Sequence, residues 1–177
     1  RVEYGPRALG NRSILYHAGD PTANEWLNRH LPRSEFMPFA PATLAEYAAE
    51  RFIGYSKAGL PARHMTTTFD CTPVMRKEAP AAVHIDGTAR PQVVSRADNP
   101  SFHAILTEYH RLTGGASVIN TSFNMHEEPI VCSPSDAVRA FLLGNLGYLA
   151  IGDFLVPHPR LKENLRSGTA ETPSAAL

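Results

Sequence analysis

Residues 117–124 have the sequence Ser-Val-Ile-Asn-Thr-Ser-Phe-Asn, a short apolar segment followed at once by polar side chains. The apolar residues 117–119 predict a strand. A helix is predicted just before it, because Asn99-Pro100 is typical of a helix start and Gly114-Gly115 of a helix end. The order of helix and then strand is repeated along the chain, and it decides the fold class.

Three more helices are predicted where a capping residue precedes apolar positions at helical spacing. They start at Asp20-Pro21, at a Thr43-x-x-Glu46 capping box and at Ser133-Pro134. Further strands are predicted at residues 82–85, 91–94, 148–151 and 154–156. Since helices and strands alternate, the predicted class is α/β or α+β with a mixed sheet.

The amino-acid composition indicates which broad class of protein this chain belongs to. The 177 residues are 43% hydrophobic and 19% charged, which predicts one globular domain. A formal net charge of zero argues against a nucleic-acid partner, and no apolar run is long enough for a membrane span. Cys71 and Cys132 are far apart in sequence and form no zinc or disulfide pattern, so we expect a cytoplasmic protein without a metal site. Residues 167–177 lack periodicity and are predicted to be a disordered tail.

Four patches are dense in polar side chains, and the first lies between Gly5 and Gly10 and just beyond. It contains Arg7, Asn11, Arg12 and Ser13. Arginine carries a fixed fork of donors that suits phosphate and carboxylate groups. The alternative is a surface turn with solvated arginines.

The second patch is the stretch 33–41, in which a charged pair stands beside an apolar segment stiffened by proline. Arg33 either contacts a phosphate or pairs with Glu35 in a buried loop. Phe36, Met37 and Phe39 are expected in the core, where such residues usually lie.

The third patch is the stretch 84–90. Strand alternation would place His84 and Asp86 on one face, and Thr88 and Arg90 follow a turn at Gly87. A strand end with acid, hydroxyl and guanidinium groups is typical of ligand sites in α/β proteins. Alternatively, His84 is a core histidine and Asp86 caps the turn.

The fourth patch, residues 120–124, offers amides and hydroxyls without net charge. Asn120, Ser122 and Asn124 suit the oxygens of a phosphate or a small planar group. The alternative is a turn rich in Asx and Ser residues. Five consecutive polar or aromatic residues exceed what a tight turn needs, which favours the ligand site.

These four patches, in this order, resemble the C-terminal domain of the NodU/CmcH/TobZ O-carbamoyltransferase family. The resemblance runs from residue 1 to about residue 156, and its matching blocks are residues 3–15, 35–41, 86–92, 120–124 and 128–131. It implies a YrdC-like domain over residues 1–166, with an open, twisted mixed sheet, flanking helices and a basic concave cleft.

The resemblance also implies an activity. Such a domain makes carbamoyl-adenylate from carbamoyl phosphate and ATP with Mg²⁺. An N-terminal domain, expected to be absent from this chain, would bind iron and transfer the carbamoyl group to a substrate hydroxyl. That domain and the two small substrates are the expected partners.

Roles for single residues follow from the resemblance and from side-chain chemistry. Arg33 and Arg90, with Arg7 and Arg12, would neutralise the charge of the phosphates. Ser122 and Asn124 would hold phosphate or carbamoyl groups, and Thr88 and Asn120 would orient the carbamoyl group. The expected binding set is completed by Asn11, Ser13 and Asp86.

One position departs from the family pattern. Relatives often carry lysine just before the matched Arg33, where this chain has Pro32. This difference keeps a non-catalytic scaffold domain open as an alternative, beside a stand-alone YrdC-like protein of tRNA threonylcarbamoylation. Arg7 and Arg12 are also candidates for a contact between the two domains.

Overall fold

The computed structural model describes residues 5, 7–30, 39–57, 59–125 and 127–161, without the side chains of residues 29, 30 and 57. The strands are β1 (Ser13–His17), β2 (Ala40–Leu44), β3 (Phe69–Asp70), β4 (Thr88–Ala89), β5 (Gln92–Val94), β6 (Ser117–Ser122), β7 (Tyr148–Ile151) and β8 (Phe154–Pro157). The helices are α1 (Ala23–His30), α2 (Ala48–Arg51), α3 (Gly59–Ala62), α4 (Pro73–Glu78), α5 (Pro100–Thr113) and α6 (Pro134–Leu143). Three 3₁₀ turns cover Ala45–Tyr47, Tyr55–Lys57 and Pro80–Ala82.

A mixed four-stranded sheet in the order β1-β6-β2-β5 organises the described fold. Strand β6 is antiparallel to both β1 and β2, whereas β2 and β5 are parallel. Asn120 of β6 lies opposite Leu15 on one side and Ala40 on the other. The predicted α/β class with a mixed sheet and flanking helices is therefore confirmed.

The sheet separates two apolar layers. On one face, Phe102, Leu106 and Tyr109 of α5 pack against strand residues that include Val118 and Val94. The other face carries the larger core, built from α1, α4, α6 and the segments between them. Side chains alternate along β6, so Val118 faces α5 while Ile119 enters the larger core.

The helices with the strongest capping signals form as predicted. The Asn99 side chain accepts a bond from the Phe102 amide at the start of α5, and Gly114 ends the helix in the left-handed region. Ser133 and Asp136 form a reciprocal capping box at the start of α6. Strands β7 and β8 also form where they were predicted, and they pair as an antiparallel hairpin. Helix α1 begins at Ala23, after the Asp20 carboxylate accepts a bond from the Thr22 amide. Pro32 and the predicted tail lie outside the described residues.

The predicted capping box at Thr43 is wrong. Thr43 lies inside strand β2, is fully buried, and bonds through its hydroxyl to the Ser117 hydroxyl at 2.9 Å. The short helix α2 starts after Tyr47, which makes no side-chain cap. Packing of β2 between two strands outweighs the local capping signal.

The predicted strand at residues 82–85 is also wrong. Pro80 starts a 3₁₀ turn that ends at Ala82, and the Ala81 amide is bonded to the Ala18 carbonyl at 3.1 Å. The chain then turns through Asp86 and Gly87, where Gly87 has a φ of +81°. The strand predicted at residues 117–119 does form, as β6, but it is longer than predicted and includes Asn120 and Ser122 of the fourth patch.

Among the described residues, no helix combines the length and the apolar character that crossing a bilayer requires.

The segment 7–12, here called the arginine loop, packs against the start of α5. Its Gly10 has a φ of +110°, and a β-carbon there would lie 2.2 Å from Cδ1 of the Phe102 ring. Phe102 itself is 1% exposed and anchors α5 to the sheet. Only glycine therefore allows both the backbone turn and the close approach of the ring.

Replacement of Gly10 by alanine is expected to lower the free energy of unfolding by about 2–4 kcal/mol, because a strained backbone and a forced shift of Phe102 add together. Gly147→Ala is the matched control, since an added β-carbon there meets nothing within 4 Å. Denaturant unfolding measures both. Equal midpoints for the two variants would show that the loop does not pack on Phe102.

Candidate functional site

Three side chains of the sheet hold the backbone of the arginine loop, and we call them the amide clamp: Gln92, Asn120 and Ser122. Asn120 Nδ2 donates to the Ala8 carbonyl at 3.3 Å, and Ser122 Oγ accepts from the Ala8 amide at 3.3 Å. Gln92 Nε2 donates to the carbonyl of Leu9 at 2.8 Å. The loop is thereby fixed along the ends of β5 and β6.

The clamp residues also bond to one another. Asn120 Nδ2 donates to Gln92 Oε1 at 2.7 Å, and the two side chains are 1% and 4% exposed. Asn99, the cap of α5, adds a 3.4 Å bond to the Leu9 carbonyl, while Ser13 Oγ accepts from the Gly10 amide at 3.0 Å. Such buried amides require partners: the loop backbone and Gln92 supply those of Asn120 Nδ2, whereas Asn120 Oδ1 has none in the described structure.

Several residues expected to bind ligand also make contacts within the protein. Asn120, Ser122 and Ser13 form hydrogen bonds with the backbone of the arginine loop, and these bonds hold the loop in position. Gln92 and Asn99 were missed by the sequence reasoning. A signal for Gln92 was present in the sequence. Gln92 lies two residues before the buried Val94 in a predicted strand, so it shares the face of Val94, where an apolar residue is usual.

The clamp brings two arginines together, here called the arginine pair: Arg7 and Arg90. Arg7 lies two residues before Leu9, and Arg90 lies two residues before Gln92. Because Gln92 is hydrogen-bonded to Leu9, the two arginines are brought near each other. Burial lowers the pKa of Arg90 first, and the positive charge of Arg7 lowers it further. Within the described part of the chain, neither guanidinium forms an ion pair with an acidic side chain. Two like charges held close without a counter-charge favour an anion.

His84, Thr88 and Asp86 form a hydrogen-bonded chain beside Arg90. Asp86 Oδ1 accepts from both the Thr88 amide at 2.9 Å and the Thr88 hydroxyl at 2.8 Å. His84 Nδ1 lies 3.0 Å from Thr88 Oγ1. Burial lowers the pKa of His84, the Asp86 charge opposes that shift, and the Arg90 charge adds to it.

A cleft of about 400 Å³ opens at the side of the loop where Leu9 and Gln92 meet. Its lining is completed by Asn11, Leu60, Arg63, His64, Val93, Val94, Asp98 and Asn99. Arg63 is bonded to Asp98 at 3.0 Å, so the wall of the cleft carries an ion pair, while Leu60 and Val93 supply apolar surface. A cleft of this size suits a small ligand.

The other predicted residues have separate positions. Asn124 Nδ2 donates to the Glu128 carbonyl at 2.8 Å, which closes a turn after β6. The Arg12 carbonyl accepts from the Phe123 amide at 2.9 Å, so the end of the loop also joins that turn. Arg33 and Pro32 lie outside the described residues. No cluster of three or more potential metal-binding side chains is present in the described ranges.

We expect Asn120→Leu to release the arginine loop. The substitution leaves the buried Ala8 carbonyl and Gln92 Oε1 without their donor, which costs about 1–3 kcal/mol per lost partner. Hydrogen exchange at the Ala8 and Gly10 amides should become faster. Thr43→Val is the control, because it breaks a buried bond of the same sheet away from the loop. Unchanged exchange in the Asn120 variant would contradict the clamp.

The His84 pKa should lie below the ordinary value of about 6.5, and neighbouring charges should move it in opposite directions. Removing the Arg90 charge with Arg90→Gln should raise it, whereas Asp86→Asn should lower it further. NMR titration of the imidazole resonances measures all three values. If the pKa of His84 is the same in both variants as in the unmodified chain, the charges of Arg90 and Asp86 do not act on His84.

Comparison with known proteins places this arrangement in a family. The family model described as "Carbamoyltransferase C-terminus" matches residues 1–158. Nodulation protein NolO of Bradyrhizobium diazoefficiens is 40% identical over 162 residues, which is 88% of this chain and 28% of that protein. Nodulation protein U of Rhizobium tropici is 34% identical over 171 residues, covering 97% of this chain and 28% of that protein.

The similarity extends beyond nodulation proteins. An uncharacterized protein of Methanocaldococcus jannaschii is 40% identical over 157 residues, covering 88% of this chain and 25% of that protein. The chain thus spans about a quarter of the length of the curated relatives it matches. From the family match over residues 1–158 and these identities, the chain belongs to the carbamoyltransferase C-terminal domain family of NodU-like proteins.

Proposed function

We propose that this domain forms carbamoyl-adenylate from carbamoyl phosphate and ATP, with the arginine pair as its phosphate-binding centre. The observation that carries the proposal is the approach of Arg7 to Arg90 with no acidic partner for either guanidinium in the described structure. Family membership supports the carbamoyl chemistry.

Electrostatics explain why a centre of this kind suits the reaction. Both substrates are anions, and their reacting groups repel each other in water. Fixed guanidinium groups reduce that repulsion and stabilise the charge that develops at the α-phosphate. An anion bound between Arg7 and Arg90 would also relieve the repulsion between the two guanidinium groups, and this relief would favour binding.

The proposed reaction has two steps that balance. Water adds to the carbonyl carbon of carbamoyl phosphate, the bond to the phosphate breaks, and carbamate and inorganic phosphate are formed. A carbamate oxygen then attacks the α-phosphorus of ATP, and pyrophosphate leaves. Carbamoyl-adenylate is the product. The arginines act in both steps by holding phosphate oxygens, and they exchange no proton.

The cleft beside the arginine loop supplies room for the nucleoside. Its volume of about 400 Å³ lies in the range of small-molecule sites. Asn11, which the sequence placed in the binding set, lines it, as does apolar surface from Leu60 and Val93. Mg²⁺ would arrive with ATP, held mainly by phosphates and water.

Transfer of the carbamoyl group to a hydroxyl is part of the proposal for the longer protein. The curated relatives are roughly four times as long as the aligned segment, which leaves room for a separate transferase domain. We assign iron binding and the acceptor site to that domain. The proposed setting for the whole reaction is the cytoplasm.

Arg90→Ala and Arg7→Ala should each weaken binding of carbamoyl phosphate by about 10- to 100-fold, the effect of losing one charge-assisted contact of about 1.5–3 kcal/mol. Calorimetric titration of the full 177-residue chain measures the affinity, with and without an ATP analogue and Mg²⁺.

Arg111→Ala is the charge-matched control, since Arg111 is exposed on α5 and pairs with Glu108. It should bind like the unmodified chain. No binding by the unmodified chain, or equal affinities for all three variants, would overturn the assignment of the arginine pair.

A further inference from the structure

We propose that His84 recognises the amino group of the carbamoyl substrate, and that its Nε2 atom accepts a hydrogen bond from that group. His84 would thereby make the site select carbamoyl phosphate over other acyl phosphates. The inference rests on the proposed function and assigns a specificity-determining residue to that same site.

The first step of the argument is the direction of the hydrogen bonds. Bonds from the Thr88 amide and hydroxyl lower the pKa of Asp86, so its carboxylate is ionised at neutral pH and can only accept. The Thr88 hydroxyl has one proton, and it donates that proton to Asp86 Oδ1 at 2.8 Å. Thr88 Oγ1 is then an acceptor toward His84 Nδ1 at 3.0 Å.

The second step is the tautomer. Since His84 Nδ1 must donate to Thr88, a neutral imidazole carries its lone pair on Nε2. The backbone of the turn is also held, because the His84 amide donates to the Thr88 carbonyl at 2.7 Å and the Gly87 amide donates to the His84 carbonyl at 2.9 Å. Within the described structure, Nε2 has no hydrogen-bond partner. Burial and the Arg90 charge both favour the neutral form.

The third step is the kind of acceptor available near Arg90. The Asp86 carboxylate carries a negative charge, and Asn120 Oδ1, which has no hydrogen-bond partner in the described structure, is buried in the clamp. Arg7 and Arg90 offer donors alone, and a guanidinium has no acceptor. Carbamoyl phosphate carries two N–H donors that lose water when they enter such a site. A neutral imidazole Nε2 beside Arg90 satisfies one of them, without the negative charge that would repel the phosphate.

The chemistry predicts a selectivity. Acetyl phosphate has a methyl group in place of the amino group and is otherwise of similar shape. Its methyl group would leave Nε2 without a partner, and sites built for a hydrogen bond reject analogues that lack the donor. We therefore expect the unmodified chain to bind carbamoyl phosphate at least about 10-fold more tightly than acetyl phosphate.

The test compares the two acyl phosphates by calorimetric titration of the full 177-residue chain. His84→Phe keeps a ring but removes the acceptor, so the preference should fall to about one, mainly through weaker binding of carbamoyl phosphate. His84→Gln restores an amide oxygen and should recover part of the preference. His103→Phe is the matched control on α5, where His103 pairs with Glu46, and it should keep the full preference.

Thr88→Val gives an independent variant in case the phenylalanine disturbs folding. It removes the hydroxyl that fixes the tautomer and should reduce the preference while the arginines remain. An unmodified chain that binds neither acyl phosphate would refute the proposed function itself. Binding of both acyl phosphates with a preference that survives His84→Phe and Thr88→Val would refute only the role of His84.

Discussion

The bond network of the Asn120 side chain is the contact on which the candidate site depends. Asn120 lies in the central strand β6, 1% exposed, and its amide nitrogen donates to both Ala8 and Gln92. A hydrogen bond contributes only about 1 kcal/mol net, but a buried group left without its partner costs more. The network therefore favours one loop position over others, because any other position would leave buried carbonyl and amide groups unpaired.

The clamp explains how the protein holds two positive charges together. Repulsion between Arg7 and Arg90 opposes the loop position; burial lowers the pKa of Arg90 first, and the positive charge of Arg7 lowers it further. The bond between Gln92 and Leu9, two residues further along each segment, holds the backbones in register despite the repulsion. Packing against Phe102 adds to the same constraint. Stability built up in the sheet and α5 thus offsets an electrostatic strain that an anion would relieve.

The sequence predicted best where the signal was local. Both ends of α5 and the start of α6 followed from Asn99, Gly114 and the Ser133 cap, whose bonds span a few residues. The signal at Thr43 failed because Ser117, which is 74 residues away, takes its hydroxyl. A local sequence pattern cannot indicate a hydrogen-bond partner that is so distant in sequence.

The same distinction holds for the site. The sequence selected Asn120 and Arg90 as polar residues of two separate patches. The partner of Asn120 is Ala8, 112 residues away in sequence, so its role in holding the loop required the fold. The nearness of Arg7 to Arg90 was hidden for the same reason, although both residues were chosen for their charge. The order of patches identified the family, and the geometry distinguished side chains that build the site from those that face it.

The proposed site combines two groups whose positions are fixed in different ways, and each would bind a different part of the proposed substrate. The arginine pair would present donors to phosphate oxygens, and its position is set by contacts between distant segments. The acceptor on His84 is set locally, by a turn of five residues that includes Thr88 and Asp86. Arg90 links the two, because its charge influences His84 on one side while it is influenced by Arg7 on the other. Under the proposed function, a phosphate that neutralises Arg90 would remove a charge that lowers the pKa of His84, so the two halves of the proposed substrate would be bound in a coupled manner.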